Sequence, residues 1–206
     1  MIIILTQCFP SRLGGIESLV SNLALGLGKK EKVIVFADSH HLFYDAIYDN
    51  KYKDQIIIRR TGGLKFFRRR KKIRDLKPFI ESNQVKLVIA DTWKSLELSI
   101  DLLEKKNIST ICLVHGNELL FNNPKKSQRI IKIISRASSI IANSQFTVNL
   151  AKKLIANKNL IKFVYPGAND LRQIQSDSFM EIKGNPVLIT LARLEKRKGH
   201  AVILKA

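Results

Sequence analysis

Cysteines and long hydrophobic runs are scarce in this sequence of 206 residues. Its two cysteines, Cys8 and Cys112, have neither the spacing of a zinc site nor that of a disulfide framework. No stretch reaches the roughly 18 consecutive apolar residues that a membrane-spanning helix requires. Residues 1–6 are also too short and too uncharged for a signal peptide. We therefore expect a cytoplasmic protein with reduced, packed thiols and no bound metal.

Acidic residues are also few, because 17 Asp and Glu stand against 36 Lys and Arg and give a formal net charge of +19. A positive field of this size attracts the phosphates of nucleotides, anionic lipids or nucleic acids, and it carries no information about the fold. The sequence contains no recognition-helix signature, zinc-finger spacing or RNP-like aromatic motif, so we expect no nucleic-acid partner. Nucleotides and anionic membrane surfaces remain as partner classes.

Hydrophobic residues make up 45% of the chain, and they form β-branched runs that alternate with helical patterns. Strands buried on both faces are unbroken apolar runs, and parallel strands need crossover connections. The pattern therefore predicts a Rossmann-like, doubly wound α/β fold, in which a parallel sheet carries helices on both faces. The predicted strands are 2–6, 32–37, 55–59, 85–90, 110–115, 139–142, 162–165 and 186–192, and the predicted helices are 15–29, 64–81, 94–106, 126–137, 145–156 and one that begins near residue 199.

A polar stretch without sustained periodicity, residues 166–185, has the composition of a linker. It separates an N-terminal Rossmann-like domain, residues 1–165, from residues 186–206, which begin another strand, loop and helix. The sequence ends inside this helical pattern without a C-cap signal. We therefore expect residues 186–206 to be the first βα unit of a truncated C-terminal domain.

Two adjacent glycines, Gly14 and Gly15, lie between the first predicted strand and the first predicted helix. A helix start offers free N–H groups and a positive dipole end, which together bind anions, although a tight turn also explains a glycine pair. We expect Glu17, in the first helical turn, to interact with this dipole rather than to catalyse a reaction. Ligands of α/β sheets collect at the carboxyl ends of the strands, where residues 91–93 and 115–118 are predicted to lie.

Five short blocks resemble the retaining GT-B glycosyltransferases of family 4, and their order and spacing match along essentially the whole chain. The blocks are “GGIE” (14–17), “VHGNE” (114–118), “ANS” (142–144), “VYPGAND” (164–170) and “LARLEKRKG” (191–199). The resemblance implies a cleft between two Rossmann-like domains that holds a nucleotide-diphosphate sugar. It implies that Gly14 and Gly15 approach the diphosphate and that His115 lies beside the transferred sugar as the catalytic-site histidine. It places Arg193 and Lys198 at the leaving diphosphate.

Three polar residues near this implied cleft, Asp91, Asn117 and Glu118, are candidates for contact with the acceptor, with ordinary loop surface as the alternative. The resemblance implies no cofactor beyond the nucleotide-sugar donor and no metal, in keeping with the lack of a DxD pair. It implies a glycan or lipid-linked acceptor, as in cell-envelope polysaccharide biosynthesis. The paired glutamates of the family's C-terminal motif have no counterpart, so we expect the chain alone to be an inactive fragment of a longer enzyme.

A basic stretch, residues 59–79 (“RRTGGLKFFRRRKKIRDLKPF”), contains the run Arg68, Arg69, Arg70, Lys71 and Lys72. Clustered Lys and Arg gain about 1 kcal/mol each near acidic lipids, so this run is a candidate for peripheral attachment to the inner face of an anionic membrane. A solvated basic face on a packed helix is the alternative.

Two other functions compete with sugar transfer. A basic α/β module without catalytic activity would bind anionic lipid or nucleic acid through its charge alone. A dinucleotide-dependent oxidoreductase is disfavoured, because residues 8–17 (“CFPSRLGGIE”) lack the G-x-G-x-x-G spacing and make too long a turn.

Overall fold

The computed structural model describes residues 1–82, 84–120, 123–167, 183–192 and 194–205, with only the backbone at residues 65, 66 and 197. The chain divides into two compact units, Met1–Gly167 and Ala168–Ala206. The first unit contains the sheet and the site described below. Within the described ranges, no helix is both long enough and apolar enough to cross a membrane.

The larger unit is built on one sheet of seven strands. The strands are β1 (Ile2–Leu5), β2 (Val33–Asp38), β3 (Ile57–Thr61), β4 (Leu87–Ala90), β5 (Ser109–Val114), β6 (Ser139–Ala142) and β7 (Ile161–Phe163). Their order across the sheet is β3-β2-β1-β4-β5-β6-β7, and every pairing between neighbours is parallel. In the interior strand β1, Ile2 pairs with Val33 on one side and with Leu87 on the other.

Helices cover both faces of the sheet and create two hydrophobic cores. Ile3 and Leu5 pack into one core, whereas Ile2 and Ile4 pack into the other together with Val20 of the first helix. Successive side chains of a strand point to opposite faces, so this alternation confirms the predicted doubly wound α/β fold. The described helices are α1 (Gly15–Gly28), α2 (Leu42–Tyr52), α3 (Lys65–Glu81), α4 (Trp93–Leu96), α5 (Ile100–Lys105), α6 (Pro124–Ile134), α7 (Gln145–Leu154) and, in the smaller unit, α8 (His200–Ile203).

Two helical regions differ from the prediction. The sequence pattern does not predict α2, because its large apolar side chains, Leu42, Phe43 and Ile47 among them, are exposed and form no buried stripe. The single helix predicted at 94–106 is divided into α4 and α5 by a turn in which Ser99 Oγ donates to the Leu96 carbonyl at 2.9 Å. A serine hydroxyl that bonds the backbone in this way competes with helix continuation.

Residues 186–192 do not form the strand that the sequence predicts. Their side chains are exposed, with Leu188 at 81% and Leu191 at 98%. A strand needs neighbours that take its backbone N–H and C=O groups. The described part of the smaller unit offers a 3-10 turn, Lys196–Lys198, and α8, and neither can pair with a strand.

Candidate functional site

The carboxyl edge of the sheet contains the point at which the strand order reverses. From β1 the chain runs outward through β2 and β3, and it then crosses to β4 on the other side of β1. In open α/β sheets ligands bind outside the carboxyl ends of the strands at such a point, because the loops diverge there and leave a crevice. The residues that follow β1 and β4 therefore mark the candidate site.

Asp91 follows β4 and is fully buried at this point. One carboxylate oxygen accepts hydrogen bonds from Thr6 Oγ1 at 2.7 Å and from the Gln7 backbone N–H at 3.3 Å. The other oxygen accepts from Ser95 Oγ at 2.5 Å. Asp91 thus joins the end of β1 to the end of β4 and to α4. The expected contact between Asp91 and an acceptor is therefore corrected to a structural role, because the residue has no exposed surface.

His115 begins the loop after β5, and both its ring and its backbone are held in place. Ring Nε2 lies 2.8 Å from the carbonyl oxygen of Asp91. Because a carbonyl only accepts, Nε2 is the donor in this contact, and Nδ1 is the ring nitrogen left for another partner. The His115 backbone N–H donates to Glu118 Oε1 at 2.6 Å. The structure therefore brings His115 together with Asp91 and Glu118, and it leaves Asn117 exposed on the adjoining turn.

The glycine of the “HG” pair, Gly116, is required by the turn after β5. Its φ is +100°, which other residues rarely adopt, and an added Cβ would lie 3.1 Å from Thr147 Oγ1. A larger residue would therefore displace the loop that carries His115.

The two glycines after β1 have different surroundings. A Cβ added to Gly14 would lie 2.2 Å from Glu17 Oε2, so the missing side chain makes room for this carboxylate. A Cβ added to Gly15 would meet nothing within 4 Å, so open space adjoins the start of α1. Glu17 is 5% exposed, and its Oε1 pairs with Arg12 Nε at 3.0 Å. Glu17 therefore links the loop after β1 to the first turn of α1.

A cleft of about 780 Å³ opens at the same edge, between the loops after β1 and β2 and the helices α3, α4 and α6. Six cationic side chains line it: Arg12, Arg68, Arg69, Arg70, Lys94 and Arg129. Sequence reasoning missed three of these, Arg12, Lys94 and Arg129. Arg12 and Lys94 closely follow predicted strands, and that position is a usable signal. Arg129 carries no such signal, because only the tertiary fold brings α6 to the cleft.

Glu97 binds two arginines from different helices. Its Oε2 accepts from Arg69 of α3 at 2.6 Å, and its Oε1 pairs with Arg129 of α6. Burial alone would raise the pKa of Glu97, but the two guanidinium groups hold that pKa below its usual value. One carboxylate thus pairs with two guanidinium groups, so this part of the cleft wall keeps a net positive charge.

Lys72 is buried, with 4% of its surface exposed. Its Nζ donates to Asp38 Oδ1 at 2.6 Å and to the carbonyl oxygen of Thr6. Burial lowers the pKa of Lys72, and the negative charge of Asp38 opposes that shift. The prediction that Lys72 lies at a membrane surface is therefore wrong. α3 packs this ammonium group against the ends of β1 and β2, where it has the partners that a buried charge requires.

Asp45, near the start of α2, is buried and holds one wall of the cleft. It accepts five hydrogen bonds, from the backbone and hydroxyl of Ser11, the hydroxyl of Ser39 and the backbone N–H groups of His40 and His41. Arg60 adds an ion pair at 3.5 Å. Burial alone would raise the pKa of Asp45, but the hydrogen bonds and Arg60 together lower it to about 2. Because Ser39 and His40 line the cleft, this ionised carboxylate fixes its shape.

Cys8 also lines the cleft, and burial together with the charge of Asp91 raises its pKa to about 11. At neutral pH Cys8 is therefore a protonated thiol and a poor nucleophile. Cys112 is fully buried in the sheet, and burial raises the pKa of this thiol as well. Both cysteines are free, with Cys8 partly buried and Cys112 buried.

The remaining candidate residues belong to the smaller unit. Lys198 is exposed in the turn Lys196–Lys198, which Gly199 closes with a φ of +74°. Arg193 lies outside the described residues. Among the side chains that the structure describes, no group of three His, Cys, Asp or Glu comes together as metal ligands would.

Comparison with solved structures shows what this fold is similar to. HepE from Anabaena, in complex with UDP and glucose, has 17% identity and a TM-score of 0.60 over 82% of this chain and 45% of HepE. The apo form of the lipopolysaccharide outer core galactosyltransferase WaaB has 16% identity and a TM-score of 0.55 over 80% of this chain and 45% of WaaB. The UDP-GlcNAc 2-epimerase of Methanocaldococcus jannaschii has 13% identity and a TM-score of 0.56, with shares of 80% and 45%. Identities this low show the fold alone, and transferases share this fold with an epimerase.

Comparison with family models identifies the family. The chain spans less than half the length of the three proteins above. No curated protein sequence matches it significantly. A model described as Glycosyltransferase Family 4 matches residues 13–171, which include the glycine pair, the Asp91 and His115 network and most of the cleft. Together with the seven-stranded parallel sheet and its GT-B neighbours, this match shows that the chain belongs to glycosyltransferase family 4.

Proposed function

We propose that this chain is the acceptor-side part of a retaining glycosyltransferase, which moves a sugar from a nucleotide-diphosphate sugar to a glycan or lipid-linked acceptor. The family match over residues 13–171 carries the proposal. HepE, which has the same fold, forms complexes with UDP and glucose and with UDP-glucose, and this supports a nucleotide-sugar donor. The chain covers 45% of HepE, so we propose that a longer parent enzyme supplies most of the donor site and that the chain alone is inactive.

In the proposed reaction, an acceptor hydroxyl attacks the anomeric carbon of the donor on the face from which the diphosphate departs, the bond to the diphosphate breaks, and the hydroxyl proton passes to the leaving nucleoside diphosphate. Arg193 and Lys198 neutralise the charge that develops on the diphosphate, so the proposal includes no metal and no further cofactor. His115 binds the transferred sugar. Because its Nε2 donates to the Asp91 carbonyl, its Nδ1 accepts a hydrogen bond from a sugar hydroxyl. The open space beside Gly15 gives the diphosphate room near the start of α1.

Transfer assays on the full-length parent enzyme test this proposal. Nucleotide sugars are offered with a lipid-linked glycan, the released nucleoside diphosphate is measured, and the anomeric configuration of the product is determined by NMR. His115→Ala should lower kcat by about 100-fold, the effect of losing one hydrogen bond that strengthens in the transition state. The control His41→Ala changes an exposed histidine that does not line the cleft and should leave kcat unchanged. Absence of nucleoside diphosphate release with every donor, or an inverted product, contradicts the proposal.

We also propose that the enzyme works at the inner membrane surface, because exposed apolar side chains accompany the basic stretch. Phe43 of α2 and Leu64 before α3 are 64% and 74% exposed, and Lys71 is exposed as well. Apolar insertion and attraction to acidic headgroups together hold a protein at a lipid interface. Without catalysis, the same surface would make the chain a basic lipid-binding module, which is the alternative function.

Co-sedimentation with vesicles tests the membrane proposal on the 206-residue chain. Vesicles of phosphatidylglycerol should bind more protein than vesicles of phosphatidylcholine, and added salt should reduce the difference. The combined change Phe43→Ser, Leu64→Ser and Lys71→Ser should lower the bound fraction, whereas Lys152→Ser, at an exposed position on α7, should not. Equal binding by the two variants would show that the basic stretch is only a solvated face.

A further inference from the structure

The cleft at the carboxyl edge has a large excess of positive charge. Six arginines and lysines line it, whereas Asp38 is the one acidic residue among its lining residues in the described part of the chain. The cations come from four places in the fold: the loop after β1, α3, α4 and α6. Glu17 pairs with Arg12, and Glu97 pairs with Arg69 and Arg129. Three carboxylates, including Asp38, therefore face the six cations, and the positive charge that remains favours binding of an anion there.

Some of the hydrogen-bond donors on this wall lack good partners. Arg68 Nη1 lies 3.5 Å from Asp38 Oδ2 and 3.4 Å from the Ser39 carbonyl, and both distances are long for a charge-assisted bond. Arg68 Nε is buried and has no hydrogen-bond partner among the described residues. The Arg68 guanidinium is therefore incompletely hydrogen-bonded, and because the side chain lines the cleft, a ligand oxygen bound to its accessible Nη groups would stabilise the wall.

The start of α3 adds to the positive potential. Leu64 occupies the N-cap position and has no side-chain acceptor, and the first turn of α3 contains no acidic residue. The positive end of a helix dipole is normally offset by a polar cap or by Asp and Glu in the first turn. At α3 the chain instead continues into Arg68, Arg69 and Arg70, all of which line the cleft.

We propose that this cleft binds a phosphorylated compound, with its phosphoryl group held by Arg68, Lys94 and Arg129. Planar guanidinium groups bind two phosphate oxygens at once, and a mobile lysine ammonium adds a point charge. The proposal rests on the proposed function for one point only, namely that the phosphorylated compound is the sugar acceptor. A phosphoryl group also occurs in the donor diphosphate and in lipid headgroups, so the experiment separates these sources.

The only tryptophan of the chain provides a local signal for binding. Trp93 is buried in α4, and Lys94 Nζ and the Arg129 guanidinium lie 5.7 Å and 5.8 Å from the centre of its ring. A phosphate that draws these cations away from the ring changes the electric field at the indole. Glucose 6-phosphate added to the 206-residue chain should therefore change the tryptophan fluorescence saturably, whereas neutral glucose should not.

Calorimetric titration with glucose 6-phosphate, inorganic phosphate and UDP gives the affinities. Lys94→Gln and Arg129→Gln should each weaken binding of glucose 6-phosphate by about tenfold, the effect of losing one charge-assisted hydrogen bond. Arg74→Gln is the matched control, because Arg74 lies on the same helix as Arg68 but is exposed and does not line the cleft. The Arg74→Gln variant should bind glucose 6-phosphate with the affinity of the wild type.

The outcomes test phosphate binding in the cleft independently of the proposed transferase reaction. Equal losses in the cleft variants and in Arg74→Gln, or no binding of any phosphate probe, overturn the proposal. UDP binding without binding of glucose 6-phosphate assigns the cleft to the donor diphosphate and overturns the acceptor role. Displacement of glucose 6-phosphate by phosphatidylglycerol vesicles but not by inorganic phosphate assigns the cleft to a headgroup and overturns that role as well. The His115→Ala transfer assay can fail while these affinities stand, so the two proposals fail separately.

Discussion

Replacement of Asp45 by asparagine should destabilise the protein by about 2.4 kcal/mol at neutral pH. The Asp45 carboxylate accepts five hydrogen bonds and pairs with Arg60. These interactions overcome burial and lower its pKa from the usual 3.8 to about 2. That difference is about 1.8 pH units, and each unit corresponds to about 1.4 kcal/mol. Asparagine has the shape of the protonated acid and no charge, so it forfeits this stabilisation.

The direction of this pKa shift also fixes how the difference depends on pH. The folded-state pKa of Asp45 lies below the unfolded-state value, so the stabilisation is complete above about pH 5 and is lost as the pH falls toward about 2. At about pH 3 roughly 1.3 kcal/mol should remain, because the carboxyl is then mostly protonated in the unfolded chain. The gap between wild type and Asp45→Asn should therefore shrink to about half between pH 7 and pH 3.

Urea denaturation followed by circular dichroism at these two pH values measures the gap in unfolding free energy. Asp101→Asn serves as the control, because the Asp101 side chain is 86% exposed and its ion pair with Arg136 is a surface pair. Such pairs contribute about 0–1 kcal/mol. A loss below about 0.5 kcal/mol for Asp45→Asn at pH 7, or an equal loss at both pH values, would refute the reasoning that ionised Asp45 holds the cleft wall.

Two further substitutions test the contacts around the strand ends. Lys72→Met should lower the free energy of unfolding by about 2–4 kcal/mol in urea denaturation, because it leaves Asp38 without its closest cation. The double variant Lys72→Met with Asp38→Asn should recover part of that loss, whereas full additivity of the two single losses would show that the pair is not coupled. Gly14→Ala should lower the free energy of unfolding by about 1 kcal/mol, because the added Cβ displaces the Glu17 carboxylate. Gly15→Ala, at the first position of α1, should leave the free energy of unfolding unchanged or raise it slightly, and equal effects of the two alanines would contradict this account.

The sheet can be predicted from the sequence because burial on both faces leaves continuous apolar runs. The strands Ile2–Leu5 and Val33–Asp38 show this directly. Helix α2 cannot be found by the same reasoning, because Leu42 and Phe43 face solvent and the helix lacks a buried stripe. For residues 186–192 the pattern predicts a strand that does not form, since an apolar run becomes a strand only when other strands pair with it. The periodicity of apolar residues indicates which side chains can be buried, but whether they are buried depends on the rest of the fold.

The location of the candidate site follows from the strand pattern, but the roles within it do not. Asp91 and Lys72 belong to residue types that are normally solvated, and both are buried. Each binds a polar group of Thr6 at the end of β1, the hydroxyl in one case and the carbonyl in the other. No pattern in the sequence predicts such a contact between residues that are far apart along the chain. The pairing of Arg69 and Arg129 through Glu97 is likewise a product of tertiary packing alone.

The position of Glu17 means that the loop after β1 already contains an anion of its own. Its carboxylate lies beside Gly14 at the positive end of α1, and its partner Arg12 has a side chain that is 55% exposed. An incoming diphosphate would compete with Glu17 for Arg12 and for the helix terminus. If a diphosphate binds at this loop as proposed, Arg12 would have to exchange Glu17 for the ligand, and the strength of the Arg12–Glu17 pair would set how strongly an anion must bind to replace it.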